Sequence, residues 1–374
     1  MGAWQQRWPA AHTLVLLAAT ETAAVAGISA AGATPESRRA TAAADAELLL
    51  QGPGRGRCHA LPPLPAGVSP ALISHVVLRD LGLLQRTQLV DLGCPIAAAV
   101  PHLRLPGLES AGPARCLSTG QALAPHRVAA LWQRGRAWGQ AWNPAEPLLL
   151  AECVPGGTST ALAVLEGLGV RAAGLVSGSL RKPVHGLKAS LVQRGLAAAG
   201  LGLGGGAAAD PLAVLAAVGD PMQVLAAGLV GAAAARGTPV LLAGGSQMAA
   251  VLALALALTP QSARPALAER TVVATTAWVA EEAGSDLALL LDRLGAAWQV
   301  RLRMEVAGLR FHGCVSPALR DYERGYVKEG VGAGGLALLW QLAGRDPAAL
   351  AAACDQACHS EHGSIELGPS ELGV

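Results

Sequence analysis

Along this chain, short, mostly apolar runs alternate with Ala/Leu-rich segments of helical length, a pattern that few folds accommodate. The runs fall at residues 13–18, 88–92, 147–151, 173–176, 239–243, 272–276 and 300–307. Between several of them lie helical stretches, at 160–168, 224–235, 248–258 and 287–297. A strand that is apolar at every position, rather than at every second one, is buried on both faces. That condition belongs to parallel sheets covered by helices. The pattern therefore predicts an α/β three-layer sandwich with a mainly parallel, Rossmann-like sheet and a smaller helical part. In such sheets ligands bind beyond the carboxyl ends of the strands, so the loops that follow strands should carry the chemistry. Residues 1–345 read as one α/β domain, and 346–374, where apolar periodicity fades, as a peripheral C-terminal tail. Pro/Gly-rich connectors occupy 52–67 and 101–115, and no repeat of solenoid length occurs.

Composition narrows the function classes. Hydrophobic residues make up 52% and charged residues 14% of 374, which excludes intrinsic disorder. A net charge of +2 offers no bulk attraction for nucleic acid. Basic residues are almost all Arg; the three Lys are Lys182, Lys188 and Lys328. The single Phe is Phe311, and the two Tyr are Tyr322 and Tyr326. This scarcity fits pressure from a GC-rich genome, and the exceptions, confined to 182–188 and 311–328, are candidates for positions where the side chain matters, chance clustering in a small sample being the alternative. Seven scattered Cys suit a reducing, cytoplasmic setting better than a disulfide framework. Near the N-terminus Glu21 interrupts a short apolar run, which argues against a signal peptide. The uncharged stretch 240–258 contains Gly244-Gly245-Ser246-Gln247 and reads as strand, loop and helix rather than a membrane span.

Three loops have the residues for chemistry. In the first, an apolar run ends at Glu152, passes Pro155, Gly156 and Gly157, and enters a helix headed by Thr158, Ser159 and Thr160. Glycines let backbone approach a ligand, and the free N–H groups of a helix's first turn favour a phosphate. An ordinary capped helix would look the same. It is not a Walker loop, since no Gly-Lys-Ser/Thr follows. The second loop, from Val176 to Lys188, holds Ser179, Arg181, Lys182 and Lys188, which could neutralise an anion or simply form a solvated cationic turn. In the third, Gly330 to Gly335 satisfies G-x-G-x-x-G, but charged and aromatic residues precede it instead of a strand, so the dinucleotide context fails. What remains is Glu329 before a Gly-rich helix entry: either dipole complementation or a general base. Cys354, Cys358, His359 and His362 match no standard zinc spacing, so no metal is expected. No Gly-x-Ser-x-Gly elbow suggests a hydrolase triad.

Several motifs together resemble a known group. They are the segments 20–36 and 116–121, Glu152 to Thr158, Gly219-Asp220-Pro221-Met222-Gln223, Leu241 to Gln247, and Lys328 to Gly335. They resemble an uncharacterised cyanobacterial and archaeal branch related to nicotinate-nucleotide:dimethylbenzimidazole phosphoribosyltransferase, over roughly residues 13–343. That transferase is a homodimeric α/β enzyme of cobalamin biosynthesis. It moves phosphoribose from nicotinate mononucleotide to a base, making the α-linked ribotide of the corrinoid lower ligand. The resemblance implies that Glu329 corresponds to its catalytic carboxylate and Glu152 to a second one. Gly156, Gly157, Thr158, Ser159 and Lys188 then hold phosphate, with Gly330 and Gly332 also on the nucleotide. Ser179, Asp220, Gln247 and Lys328 become further binding candidates. The chain departs from the family in having Lys328 where Gly is usual and Cys153-Val154-Pro155 in the first loop, and no residues that hold dimethylbenzimidazole can be matched.

The chemistry holds together on its own terms. Nicotinate mononucleotide already carries a cationic leaving group, so neither metal nor cofactor is required; the nucleotide itself is the substrate. In-line attack by a base nitrogen inverts the anomeric carbon, and a carboxylate can take the acceptor's proton. Small-molecule nucleotide and base are the expected partners, with a homodimer and no nucleic acid or membrane. Two rivals stand beside the transferase: a non-catalytic nucleotide-binding protein of the same fold, and a nicotinate mononucleotide glycohydrolase.

Overall fold

The computed structural model describes residues 2–362 except 55, 63, 65, 106–111 and 203–209. Seven strands form one sheet: β1 His12–Leu17, β2 Thr87–Asp91, β3 Leu103–Arg104, β4 Leu148–Cys153, β5 Val240–Ala243, β6 Thr271–Thr276 and β7 Met304–Ala307. Their order is β3-β2-β1-β4-β5-β6-β7. Every pairing is parallel. The runs at β1, β4, β5 and β6 have the burial expected of them, with all six residues of β4 buried, whereas β7 at the sheet edge buries only Ala307.

Helices cover both faces. Side chains of β4 alternate: Leu148 and Leu150 enter one core, while Leu149, Ala151 and Cys153 enter the other. The first core is closed by helices including Pro125–Ala141, Gly157–Gly167, Pro221–Ala235, Ser246–Ala257 and Leu287–Trp298. The second is closed by Pro35–Gln51, Ala71–Asp80, Ala333–Leu342 and Pro347–His362. The chain leaving β1 therefore runs to the second face and the chain leaving β4 to the first. Adjacent strands whose continuations diverge leave a crevice at their carboxyl ends, where the strand order reverses.

Three local expectations change. Residues 173–176 are a turn, because the Glu166 carboxylate accepts the amides of Ala172 and Ala173 at 2.7 and 2.9 Å and takes them from any ladder. The last run pairs only from Met304, since the Val300 amide closes the preceding helix on the Gly295 carbonyl at 2.9 Å. The connector after residue 101 contributes the short edge strand β3. Residues 347–362 form a helix whose Leu350, Cys354, Ala357 and Cys358 are buried, while 363–374 lie outside the described residues. Among the described residues no helix is long and apolar enough to cross a membrane.

Candidate active site

The crevice between β1 and β4 contains a pocket of about 140 Å³. Its walls come from loops that follow β1, β4, β5 and β6, from Leu61, Pro62, Leu64, Ser69 and Pro70, and from residues 327–331. Glu152 closes β4 and Glu329 arrives from the far end of the chain, yet both line this one pocket. A backbone bond joins their segments, the Val331 amide donating to the Glu152 carbonyl at 3.0 Å.

Each carboxyl is held by a different set of donors. One Glu329 oxygen accepts the amides of Gly330 and Gly334, both at 3.1 Å. The other accepts the Thr275 hydroxyl at 3.2 Å and the Thr276 amide at 3.1 Å. The Gly334 amide belongs to the first turn of Ala333–Leu342, so a helix N-terminus faces this carboxylate. Burial nevertheless pushes Glu329 up to about 7, against those four donors. Glu152 receives the Val154 amide at 3.0 Å, and the Gln247 side chain beside it favours its charged form. Burial, with the charges of Asp220 and Glu329 nearby, pushes it up to about 8. A buried carboxyl pair poised around neutrality is the electrostatic signature of acid–base work.

Two of the loop glycines are set by close approach. A Cβ on Gly157 would lie 2.0 Å from the Gln247 side-chain oxygen, and one on Gly334 would lie 2.5 Å from Glu329 Oε2. Gly156 and Thr158 complete that wall, followed by Ser177–Ser179 and Gly245–Gln247. Two helices, Gly157–Gly167 and Ser246–Ala257, start at this wall, so their positive dipole ends face one side of the pocket.

The other anticipated residues divide. Ser179 lines the pocket and accepts the Ala30 amide at 2.8 Å. Gly330 lines it too, whereas Gly332 caps the helix Ala333–Leu342 behind it. Lys188 lies just behind the wall, its ammonium donating to Thr158 Oγ1 at 3.0 Å and to the Ser177 carbonyl at 2.6 Å. Burial lowers Lys188 to about 8. Ser159 departs from the expectation of a phosphate contact. Its side chain is fully buried away from the pocket, because one helical step past Thr158 turns it into the core. Asp220 is also off the wall: it caps Pro221–Ala235 with Gln223 and accepts Thr160 Oγ1 at 2.5 Å. Lys328 borders the pocket, but its ammonium pairs with Glu282 at 2.8 Å and donates to the Leu180 and Gly325 carbonyls.

Some pocket residues carry no loop signature in the sequence. Asp45, in the middle of Pro35–Gln51, lines the pocket beside Ser69 and Thr41. Glu282 ties Lys328 to the Ser177 hydroxyl, 2.5 Å away. The one sequence hint for Asp45 is an acid within an Ala-rich run.

An open, all-parallel α/β sheet with a paired-carboxylate pocket at its strand-order reversal defines a class of ligand-binding protein. Within it, this chain belongs to the family whose model DBI_PRT is described as Phosphoribosyltransferase and matches residues 84–306. Glu152 lies inside that match and Glu329 beyond it. Relatives cover more. UPF0284 protein SYNW1869 of Parasynechococcus marenigrum is 54% identical over 95% of this chain and 88% of its own. UPF0284 protein tll2306 of Thermosynechococcus vestitus is 44% identical over 91% and 88%. The fold resembles CobT from Thermus thermophilus, with a TM-score of 0.56 at 20% identity over 94% of this chain and 86% of that one. It also resembles the nicotinate-nucleotide-dimethylbenzimidazole phosphoribosyltransferase structure from the same organism, with a TM-score of 0.54 at 18% identity over 95% and 86%.

Proposed function

We propose that this protein transfers phosphoribose from nicotinate mononucleotide to the nitrogen of a heterocyclic base, releasing nicotinate and forming an α-ribotide for a cobamide lower ligand. The observation that carries the reading is the arrival of Glu152 and Glu329 at one crevice that two helix N-termini also face.

In this reading the donor's phosphate rests against Gly156–Thr158 and Ser177–Ser179, with the Lys188 charge behind Thr158. The acceptor nitrogen attacks the anomeric carbon as its bond to the nicotinate nitrogen breaks. The bonding pair leaves on nicotinate, and the acceptor's proton passes to Glu329. Base catalysis by a positioned carboxylate typically contributes about 10²–10⁴-fold. Glu152, held protonated at neutral pH, faces the ribose and adds no second negative charge beside the phosphate. The likeness to the nicotinate-nucleotide-dimethylbenzimidazole phosphoribosyltransferase of Thermus thermophilus supports the donor's identity. The resemblance read from the sequence motifs implies a homodimer, which light scattering would check.

Nicotinate mononucleotide incubated with pure protein, with and without candidate bases, tests the reading. Release of nicotinate that requires a base supports it. Release into water without a base would make the protein a glycohydrolase, and binding without release would make it a non-catalytic nucleotide-binding protein.

A further inference from the structure

The pocket has two unlike walls because it straddles the two faces of the sheet. The wall already assigned to the donor is built from loops leading to first-face helices. The opposite wall comes from the second face: Asp45, Leu61, Pro62, Leu64, Ser69 and Pro70. It adjoins the Glu329 loop, since Ser74 Oγ donates to the Val331 carbonyl at 2.9 Å and Pro70 lies 3.3 Å from where a Gly330 Cβ would sit. A general base must lie within reach of the proton it removes, so the acceptor belongs on this side.

Four apolar residues suit a flat aromatic ring; the carboxylate among them needs a separate reason. Asp45 is only 5% exposed. Ser69 Oγ donates to one of its oxygens at 2.6 Å, and the other meets only the Cys153 thiol at 3.3 Å, a weak donor. Among the described residues no cation pairs with it. A buried carboxylate without a cation is costly, and helix stability alone would favour another Ala beside Ala44 and Ala46. Lone pairs left over at a pocket wall are free to accept from a ligand.

We infer that the second-face wall is the acceptor subsite and that Asp45, backed by Ser69, accepts a hydrogen bond from the acceptor, which is a planar nitrogen heterocycle bearing an amino or second N–H group. The inference rests on the transferase reading for the word acceptor; the binding preference itself does not. A ring lacking the donor leaves the buried carboxylate unmatched, and such sites discriminate strongly.

Calorimetric binding of 6-aminopurine, purine and benzimidazole to the whole protein tests this, run beside the nicotinate-release assay. The expected result is 6-aminopurine binding at least about tenfold more tightly than purine. Asp45→Asn should reduce that ratio below about threefold, and Ser69→Ala should reduce it in part. Equal binding of the two purines by the unaltered protein, or a preference that survives both substitutions, overturns the inference. Should Asp45→Asn fail to fold, the unaltered ratio and Ser69→Ala still decide. Absence of nicotinate release with every base would refute the transfer reaction, and the binding ratio would then decide the role of Asp45 by itself.

Discussion

Glu152 and Glu329 differ in their surroundings more than in their burial, and pH dependence should expose the difference. Glu329 must be ionised to accept a proton, so kcat should rise with pH on a limb near 7. Glu152, needed in its protonated form, should give a falling limb near 8. The two titrate as a pair, and Glu152→Gln should remove the alkaline limb, read from kcat between pH 5.5 and 9. Lys328 makes a second residue-scale case. It holds φ at +67°, a left-handed conformation costing about 1–2 kcal/mol for a side chain other than Gly. Its ion pair with Glu282 and two carbonyl bonds offset that cost. Lys328→Met leaves the buried Glu282 carboxylate with hydroxyl donors from Ser177 and Ser285 and no cation, and should destabilise by about 3 kcal/mol in urea denaturation. The scarcity of Lys, Phe and Tyr was a partial signal: Lys188, Lys328, Phe311 and Tyr322 are at most 1% exposed, whereas Lys182 is exposed and Tyr326 half-buried. Phe311 and Tyr322 pack with Trp278, and Tyr322 bonds the Val68 carbonyl of the wall loop. What scarcity does not reveal is direction. Lys328 has the composition of a ligand contact and serves as an internal counter-ion.

Elements carry the next layer. At the first position of the helix Gly157–Gly167 only Gly clears Gln247, which in turn lies beside Glu152. Gly157→Ala should push Gln247 off Glu152, cost about 1–3 kcal/mol and weaken nucleotide binding, checked by thermal melts and calorimetry. The strand–Gly–hydroxyl pattern at 148–160 was legible because loop composition and apolar run length are local. The adjacent hydroxyls of Thr158 and Ser159 look equivalent in sequence, and only the helical turn separates one at the pocket from one in the core. Asp45 was illegible for a related reason. It sits inside a helix, and its place at the pocket depends on how Pro35–Gln51 packs over Cys153, a tertiary fact.

On the scale of the whole molecule, the parallel sheet was readable from apolar runs, whereas the strand order that creates the crevice was not. Periodicity says nothing about which strands are neighbours. The crevice concentrates acids whose affinities for protons are raised by burial: Glu152 to about 8, Glu329 to about 7, and Asp45 and Asp220 to about 6. Between pH 4.5 and those values the native state binds more protons than the unfolded chain, so stability falls as pH rises. His75, lowered by burial, opposes this below 6.5. Lys188, lowered to about 8, adds little slope below pH 7. Thermal melts of the ligand-free protein should therefore show Tm declining from pH 5 to pH 8. Glu152→Gln should flatten that decline, since each raised unit is worth about 1.4 kcal/mol before coupling reduces it.

Single-turnover release of nicotinate by Glu329→Gln, measured together with the Kd for nicotinate mononucleotide, bears most directly on two distant carboxyls serving one reaction. The account predicts a rate lower by about 10²–10⁴-fold with a Kd within about threefold of the unaltered protein. Turnover at the unaltered rate would contradict it.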